Sequence, residues 1–161
     1  VLSTLHTNDA PGAIPRMLDL GVEPFLLAST IELVVGQRLV RKICPVCRAA
    51  MTPTRDWGGE LKRIIQNEVE LNRAVELLPK EYFKGQGGQE CHYSGYKGRT
   101  GLFEMMVIDD EMRELITSRV AAVKIKDRAV EKGMRTILID GLKKVGEGVT
   151  TVEEVLRVSL S

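Results

Sequence analysis

Two hydrophobic rhythms run along this chain, one suited to strands and one to helices. Residues 1–5, Val-Leu-Ser-Thr-Leu, are apolar and β-branched enough to predict a short buried strand. The polar turn His6-Thr7-Asn8-Asp9-Ala10-Pro11-Gly12 then leads into a helix carrying Ala13, Ile14, Met17 and Leu18 on one side. Asn8 or Asp9 can cap that helix, because their side-chain oxygens accept from its unpaired first amides. Gly21 is placed to end it. Leu27, Ile31, Val34 and Val35 recur at helical spacing, which predicts a second helix over 24–42. Its last turns hold Gln37, Arg38, Arg41 and Lys42, and that positive charge complements the negative end of a helix dipole. Gly36 inside such a helix costs about 1 kcal/mol relative to alanine.

The pattern changes over 44–95. Thr52-Pro53-Thr54 is loop-like, and Leu61, Ile64, Ile65, Val69, Leu71, Val75 and Leu78 give helical spacing over 60–78, stopped by Pro79. Gly85-Gln86-Gly87-Gly88-Gln89 reads as a flexible loop. The segment has the form of an insertion with cysteines at both ends, where a metal clip would close a long loop. Beyond it, Gly98-Arg99-Thr100-Gly101 is a turn into a strand over 102–108. Asp109-Asp110 caps a short helix through Ile116, and further helices are predicted over 120–132, stopped by Gly133, and over 136–145. Thr150 with Glu153, and Thr151 with Glu154, form two overlapping capping boxes. There is no internal repeat and no heptad run.

Composition narrows the classes. The 161 residues are 43% hydrophobic and 28% charged, with a formal net charge of +1, an ordinary globular balance. That charge argues against a nucleic-acid substrate, whose binders carry a strong basic excess. No apolar run approaches the roughly 20 residues that span a bilayer, so no direct membrane insertion is expected, and no signal peptide is recognisable. Because Val1 opens directly into strand-like sequence, the expectation is a piece of a longer chain. Three cysteines, an odd number, fit a reducing compartment better than a disulfide framework.

Two sets of residues are candidates for chemistry. His6 and Thr7 follow a predicted strand and precede a capped helix, which is where ligands sit in parallel α/β sheets. A histidine there can donate to a phosphate or transfer a proton; otherwise it fixes the turn. Cys44, Cys47 and Cys91 have three readings. They hold zinc with a fourth ligand from His92, an acidic side chain or water; or they are a knuckle that has lost its metal; or Cys44 and Cys47 are a redox pair. Arg38, Arg41 and Lys42 either meet a phosphate or an acidic partner or form a solvated helix end, and Arg99 can pair with Glu104 to hold its turn. No Gly-x-x-x-x-Gly-Lys-Ser/Thr occurs among these residues, so they hold no Mg-nucleotide in the P-loop manner.

Longer motifs carry a resemblance. Ser3-Thr4-Leu5-His6-Thr7-Asn8-Asp9-Ala10 resembles the His box of secretion ATPases of the type II secretion and type IV pilus assembly class. Gln37-Arg38-Leu39-Val40-Arg41 running into Cys44-Pro45-Val46-Cys47 is similar to the entry to that family's tetracysteine zinc module. Ser94-Gly95-Tyr96-Lys97-Gly98-Arg99-Thr100-Gly101-Leu102-Phe103-Glu104 resembles the segment leaving it. Gly133-Met134-Arg135-Thr136, Asp140-Gly141 and Gly148-Val149-Thr150-Thr151-Val152-Glu153-Glu154-Val155-Leu156-Arg157-Val158 resemble its C-terminal signature.

The resemblance implies an α/β fragment. Residues 1–43 would be the tail of a RecA-like P-loop ATPase core, 44–95 a zinc-knuckle-like insertion, and 96–161 a C-terminal strand-and-helix region. It implies a hexameric motor that hydrolyses ATP with magnesium, cytoplasmic and peripheral to the inner membrane, acting on inner-membrane secretion or pilus platform proteins. Walker A and Walker B elements would lie upstream, so the fragment alone is expected to be inactive. His6, with Thr7, would stand near the γ-phosphate, sensing it or orienting the attacking water. The chain departs from the family at the second cysteine pair: Cys91 fills one slot and Gly88 the other, within an insertion longer than expected. The retraction motors' Ala-Ile-Arg-Asn-Leu-Ile signature does not occur, which favours assembly or export. The competing expectation is a stand-alone zinc-dependent interaction module with no enzymatic activity.

Overall fold

Leu33–Ile43 is a strand of 11 residues, β1, and not the second half of the helix that the spacing of 24–42 predicts. Two short helices precede it, α1 (Ala13–Asp19) and α2 (Pro24–Thr30). Ile31, Val34, Val35, Val40 and Ile43 make the run dense in β-branched side chains, which lose rotamer freedom in a helix and pack well on a pleated surface. Gly36, a liability in a helix, serves a close approach in the strand. A Cβ there would lie 2.8 Å from Glu104 Cγ and 3.2 Å from the Ala10 amide nitrogen.

The computed structural model describes residues 1–159. After β1 come β2 (Arg48–Met51), α3 (Trp57–Ile64), α4 (Glu68–Glu76) and β3 (Tyr82–Gly85). A single 3-10 turn at Gln89–Cys91 leads to β4 (Tyr96–Val107), then α5 (Asp110–Thr117), α6 (Ala122–Glu131), α7 (Ile137–Gly146) and α8 (Val152–Ser159). β1 pairs with β4 in one two-stranded sheet, and β2 with β3 in another. The chain divides into two units. One comprises Val1–Gln37 and Phe103–Thr136; the other runs from Arg38 to Leu102 and from Ile137 onward.

In the first unit, Ile14, Leu27, Met106, Ile108, Met112, Ile116, Ile125 and Val130 form the core. The expected helix start holds at Asp109, which accepts from the Met112 amide at 3.0 Å. α1 instead starts at Gly12 with no side-chain cap; Asp9 accepts from the Gly12 amide at 2.9 Å and so holds the turn ahead of the helix. Gly21 and Gly133 end their helices at φ of 90° and 103°, the left-handed region that glycine enters without a Cβ clash. The predicted strand over 1–5 does not form. Those residues are exposed and join neither sheet, and an extended segment with no strand beside it leaves its amides and carbonyls to water.

In the second unit the single helix expected over 60–78 is two. Ile65 is extended, and Asn67 starts a new helix by accepting from the Glu70 amide at 3.0 Å. This break lets Leu61, Ile65 and Ala74 reach one core with Trp57, Leu102, Leu142 and Val155. Gly141 in α7 faces α8, and a Cβ there would lie 2.4 Å from Val155 Cγ1 and 3.1 Å from Leu102 Cδ1. Alanine would gain about 1 kcal/mol of helix propensity. It would overpack a fully buried, rotationally stiff valine at about 1–3 kcal/mol. The clash wins, and Gly141→Ala is expected to lower the midpoint of urea unfolding.

Candidate functional site

Three elements of the second unit deliver the cysteines. β1 ends at Ile43 and Cys44 follows it; the turn Pro45-Val46-Cys47 comes next; β2 then leaves antiparallel to β3, with Arg48 opposite Gly85. The pairing of β2 with β3 returns the chain to a second turn, 88–95, beside the first. The Gln86 amide donates to the Cys47 carbonyl at 2.9 Å, and the Cys44 amide donates to the Gly95 carbonyl at 2.9 Å. Within the second turn, the Cys91 and Tyr93 amides both donate to the Gly88 carbonyl. Gly85 thus ends β3 and Gln89 opens the 3-10 turn, so residues 85–89, whose glycine content suggests a flexible loop, join these two elements and carry backbone hydrogen bonds at Gln86 and Gly88. These glycines permit close backbone approach: a Cβ on Gly85 would lie 2.0 Å from the Gly95 carbonyl oxygen.

The result is a thiol cluster. The Sγ atoms of Cys44, Cys47 and Cys91 all lie within 4.8 Å of one another, and Cys47 and Cys91 are 3.7 Å apart. Zinc holds thiolates at about 2.3 Å, which sets sulfurs at two corners of a tetrahedron roughly 3.8 Å apart. The observed spacing and the all-sulfur donor set fit zinc at three corners. Cys44 and Cys91 are buried, and Cys47 is half-buried. Burial pushes the Cys47 thiol above its usual value. Cys91 feels burial too, but backbone hydrogen bonding at Gly95 and its Cys47 neighbour hold it below. The sequence's candidate fourth ligand, His92, is exposed on a left-handed turn and is not among the clustered ligand atoms.

His6 and Thr7 lie in the first unit, in the irregular segment before α1. His6 is exposed. The Thr7 hydroxyl donates to the Asp9 carbonyl at 3.0 Å, and buried Glu104 accepts from the Ala10 amide. The turn after His6 is thus anchored to α1 and β4 while the imidazole stands free of the core.

Arg41 has an acidic partner within the chain. Its amide and guanidinium donate to Glu154 at 3.0 and 2.6 Å, and its guanidinium covers the Tyr96 ring at 4.3 Å. Arg157 also grips Glu154, which is 2% exposed. The capping boxes are accordingly half-formed. Thr151 accepts from the Glu154 amide at 3.4 Å, whereas Thr150 donates to the Arg41 carbonyl at 2.8 Å. The Arg41–Glu154 clamp and the Gly85–Gly95 contact were missed by sequence reasoning. The only trace of the clamp in the sequence is an acid at N3 of α8, with Arg157 three residues on.

Two units and a cysteine clip define a mixed α/β protein with a candidate thiolate metal centre. The type II/IV secretion system protein family model matches residues 1–157. Type II secretion system protein E of Pseudomonas aeruginosa is 45% identical over 159 residues, covering 99% of this chain and 29% of that protein. Type IV pilus assembly ATPase PilB of Thermus thermophilus is 42% identical over 156 residues, covering 97% and 16%. Type II secretion system ATPase E of Vibrio cholerae is 38% identical over 163 residues, covering 99% and 29%. The chain belongs to the type II/IV secretion system protein family, and it spans less than a third of the length of these relatives.

Proposed function

We propose that this chain is the C-terminal portion of a hexameric motor ATPase that powers type II secretion or type IV pilus assembly. The observation that carries the reading is the family match over nearly the whole chain, to relatives named for both processes. In this reading residues 1–43 end a RecA-like core, and the cysteine turns form a zinc module set into it. The motor works in the cytoplasm, peripheral to the inner membrane, against platform proteins there; none of the described helices is long and apolar enough to cross a membrane.

ATP with its magnesium ion supplies the phosphoanhydride whose cleavage drives the motor, and its site lies mostly in upstream sequence. This chain contributes His6 and Thr7. The anchoring of Ala10 by Glu104 and of Gly12 by Asp9 supports that role, because it fixes the backbone behind a side chain left free to meet a phosphate.

Phosphate release from ATP tests the reading, measured on the parent protein with its upstream sequence and on the 161 residues alone. The parent is expected to turn over ATP and the 161 residues to give only the blank rate. His6→Ala in the parent should slow turnover at least about tenfold, the worth of one hydrogen bond to a charged group, with ATP binding retained. Turnover by the 161 residues, or an unchanged rate in His6→Ala, overturns the assignment.

A further inference from the structure

The three thiols would supply three corners of a tetrahedral zinc site, and what fills the fourth decides what kind of site it is. A structural zinc site is closed by four protein ligands, whereas a site with three keeps a position for an outside ligand. Gly88 borders the cluster: its carbonyl lies 3.4 Å from Cys91 Sγ. Its backbone is extended, at φ 178°, a conformation open to any residue. A Cβ built on it meets no heavy atom within 4 Å. Glycine is therefore not demanded there by strain or crowding, unlike Gly85, whose Cβ would strike the Gly95 backbone. A side chain at Gly88 would start into open space, apart from its own chain neighbours. The His92 side chain is exposed and stands outside the cluster, and among the described residues no carboxylate joins the three thiols.

We infer that Cys44, Cys47 and Cys91 form an open three-thiolate metal site, with its fourth position at Gly88 taken by an exchangeable outside ligand. This rests on the zinc reading of the cluster and goes beyond it. The metal is borderline-soft and already carries three thiolates, so the ligand class that best completes it is a small monothiol bound as thiolate. Binding is a substitution with no redox change. The thiol's sulfur bonds to the metal, the metal-bound water leaves, and the thiol proton passes to solvent. Half-buried Cys47 marks the side from which such a ligand enters. The module becomes one whose metal affinity depends on the thiol content of its surroundings, where a four-cysteine knuckle would be indifferent to it.

Cobalt(II) is the probe, because its visible bands report the number of thiolates and the coordination geometry. The chain, kept reduced with a phosphine, is titrated with cobalt and then with a small monothiol such as cysteine ethyl ester. One equivalent is expected to bind with tetrahedral bands. Monothiol should then shift them and raise the thiolate-to-cobalt charge transfer in proportion to the step from three thiolates to four. Gly88→Cys should show the four-thiolate spectrum at once and ignore monothiol. In competition with a chromophoric zinc chelator, it should hold zinc more tightly by more than the tenfold to hundredfold that even an outer partner is typically worth. Gly88→Ala, with part of the same space filled by a methyl group, should still bind one equivalent of cobalt at the three thiolates but respond less to monothiol. A chain that binds no cobalt overturns the metal reading itself. A chain that binds cobalt but does not respond to monothiol has a fourth protein ligand, and that overturns the open position alone. Neither result touches the ATPase assignment.

Discussion

Gly85→Ala is expected to dismantle the cysteine cluster and to destabilise the chain by about 3 kcal/mol, the upper end of ordinary overpacking. The obstruction is all backbone. A Cβ at Gly85 would lie 2.0 Å from the Gly95 carbonyl oxygen and 2.6 Å from its carbonyl carbon and Cα. A side chain in the way could rotate; a carbonyl must move with its chain. That same Gly95 carbonyl accepts from the Cys44 amide, so moving it also breaks that hydrogen bond. Relieving the clash therefore pulls the 88–95 turn from the Cys44–Cys47 turn and separates Cys91 from its partners. The expected outcome is a lowered unfolding midpoint together with loss of cobalt binding at one equivalent. Gly88→Ala, only three residues along the chain, should show neither. A Gly85→Ala protein with unchanged stability and intact metal binding would falsify the account of how the two turns are held together.

The sequence disclosed most where one local signal had one meaning. Asp109 announces a helix start because a short acceptor at that offset satisfies an orphan amide, and it does so, whereas Asp9 holds the turn before α1 and caps none of its amides. Family motifs quoted from the chain likewise led to the family that the whole-chain match supports. The failures came where a signal served two structures. Val34 and Val35 fit a helical stripe as well as they fit β1, and the decision rested with β4, more than 50 residues on. Gly36 looked like a cost until Glu104 and Ala10 were seen beside it. The cysteine clip was half-legible. Spacing gave the three thiols, but not the pairing of β2 with β3 that brings Cys91 to Cys47, nor the open space at Gly88. Those are properties of long-range register, which a local pattern does not encode. Glu154 was found by its spacing from Thr151, and its spacing misdirected the reading, because a carboxylate three residues into a helix can cap it or reach elsewhere.

Glu154 carries the second large effect, and its sign follows from its surroundings. Burial pushes the carboxyl up, but the guanidinium groups of Arg41 and Arg157 and the Arg41 amide more than offset this and hold it at about 2. The unfolded chain returns it to about 4.5. A group depressed on folding stabilises the fold above its unfolded value and loses that contribution as pH falls toward its folded value. The contribution is therefore complete at neutral pH, begins to fade near pH 5 and is nearly gone at pH 2. The shift corresponds to on the order of 3 kcal/mol, trimmed somewhat because both arginines remain half in water. Glu154→Gln keeps the shape and removes the charge, so at pH 7 it should be about 2–3 kcal/mol less stable than the parent sequence. The gap should close as the pH is lowered through 4 to about 2. Asp109 and Glu111, also depressed by Lys132 and Arg128, add their own acid sensitivity, but they are present in both proteins and drop out of the difference. Urea unfolding of the pair across this range measures the gap directly; a gap that stays constant with pH would show that Glu154 acts through packing and not through its charge. The effect should reach the thiol cluster as well. Arg41 lies in β1 three residues before Cys44, which directly follows the strand, and the contacts that seat it, from Glu154, Thr150 and the Ile43–Val149 backbone pair, are what present Cys44 to the cluster.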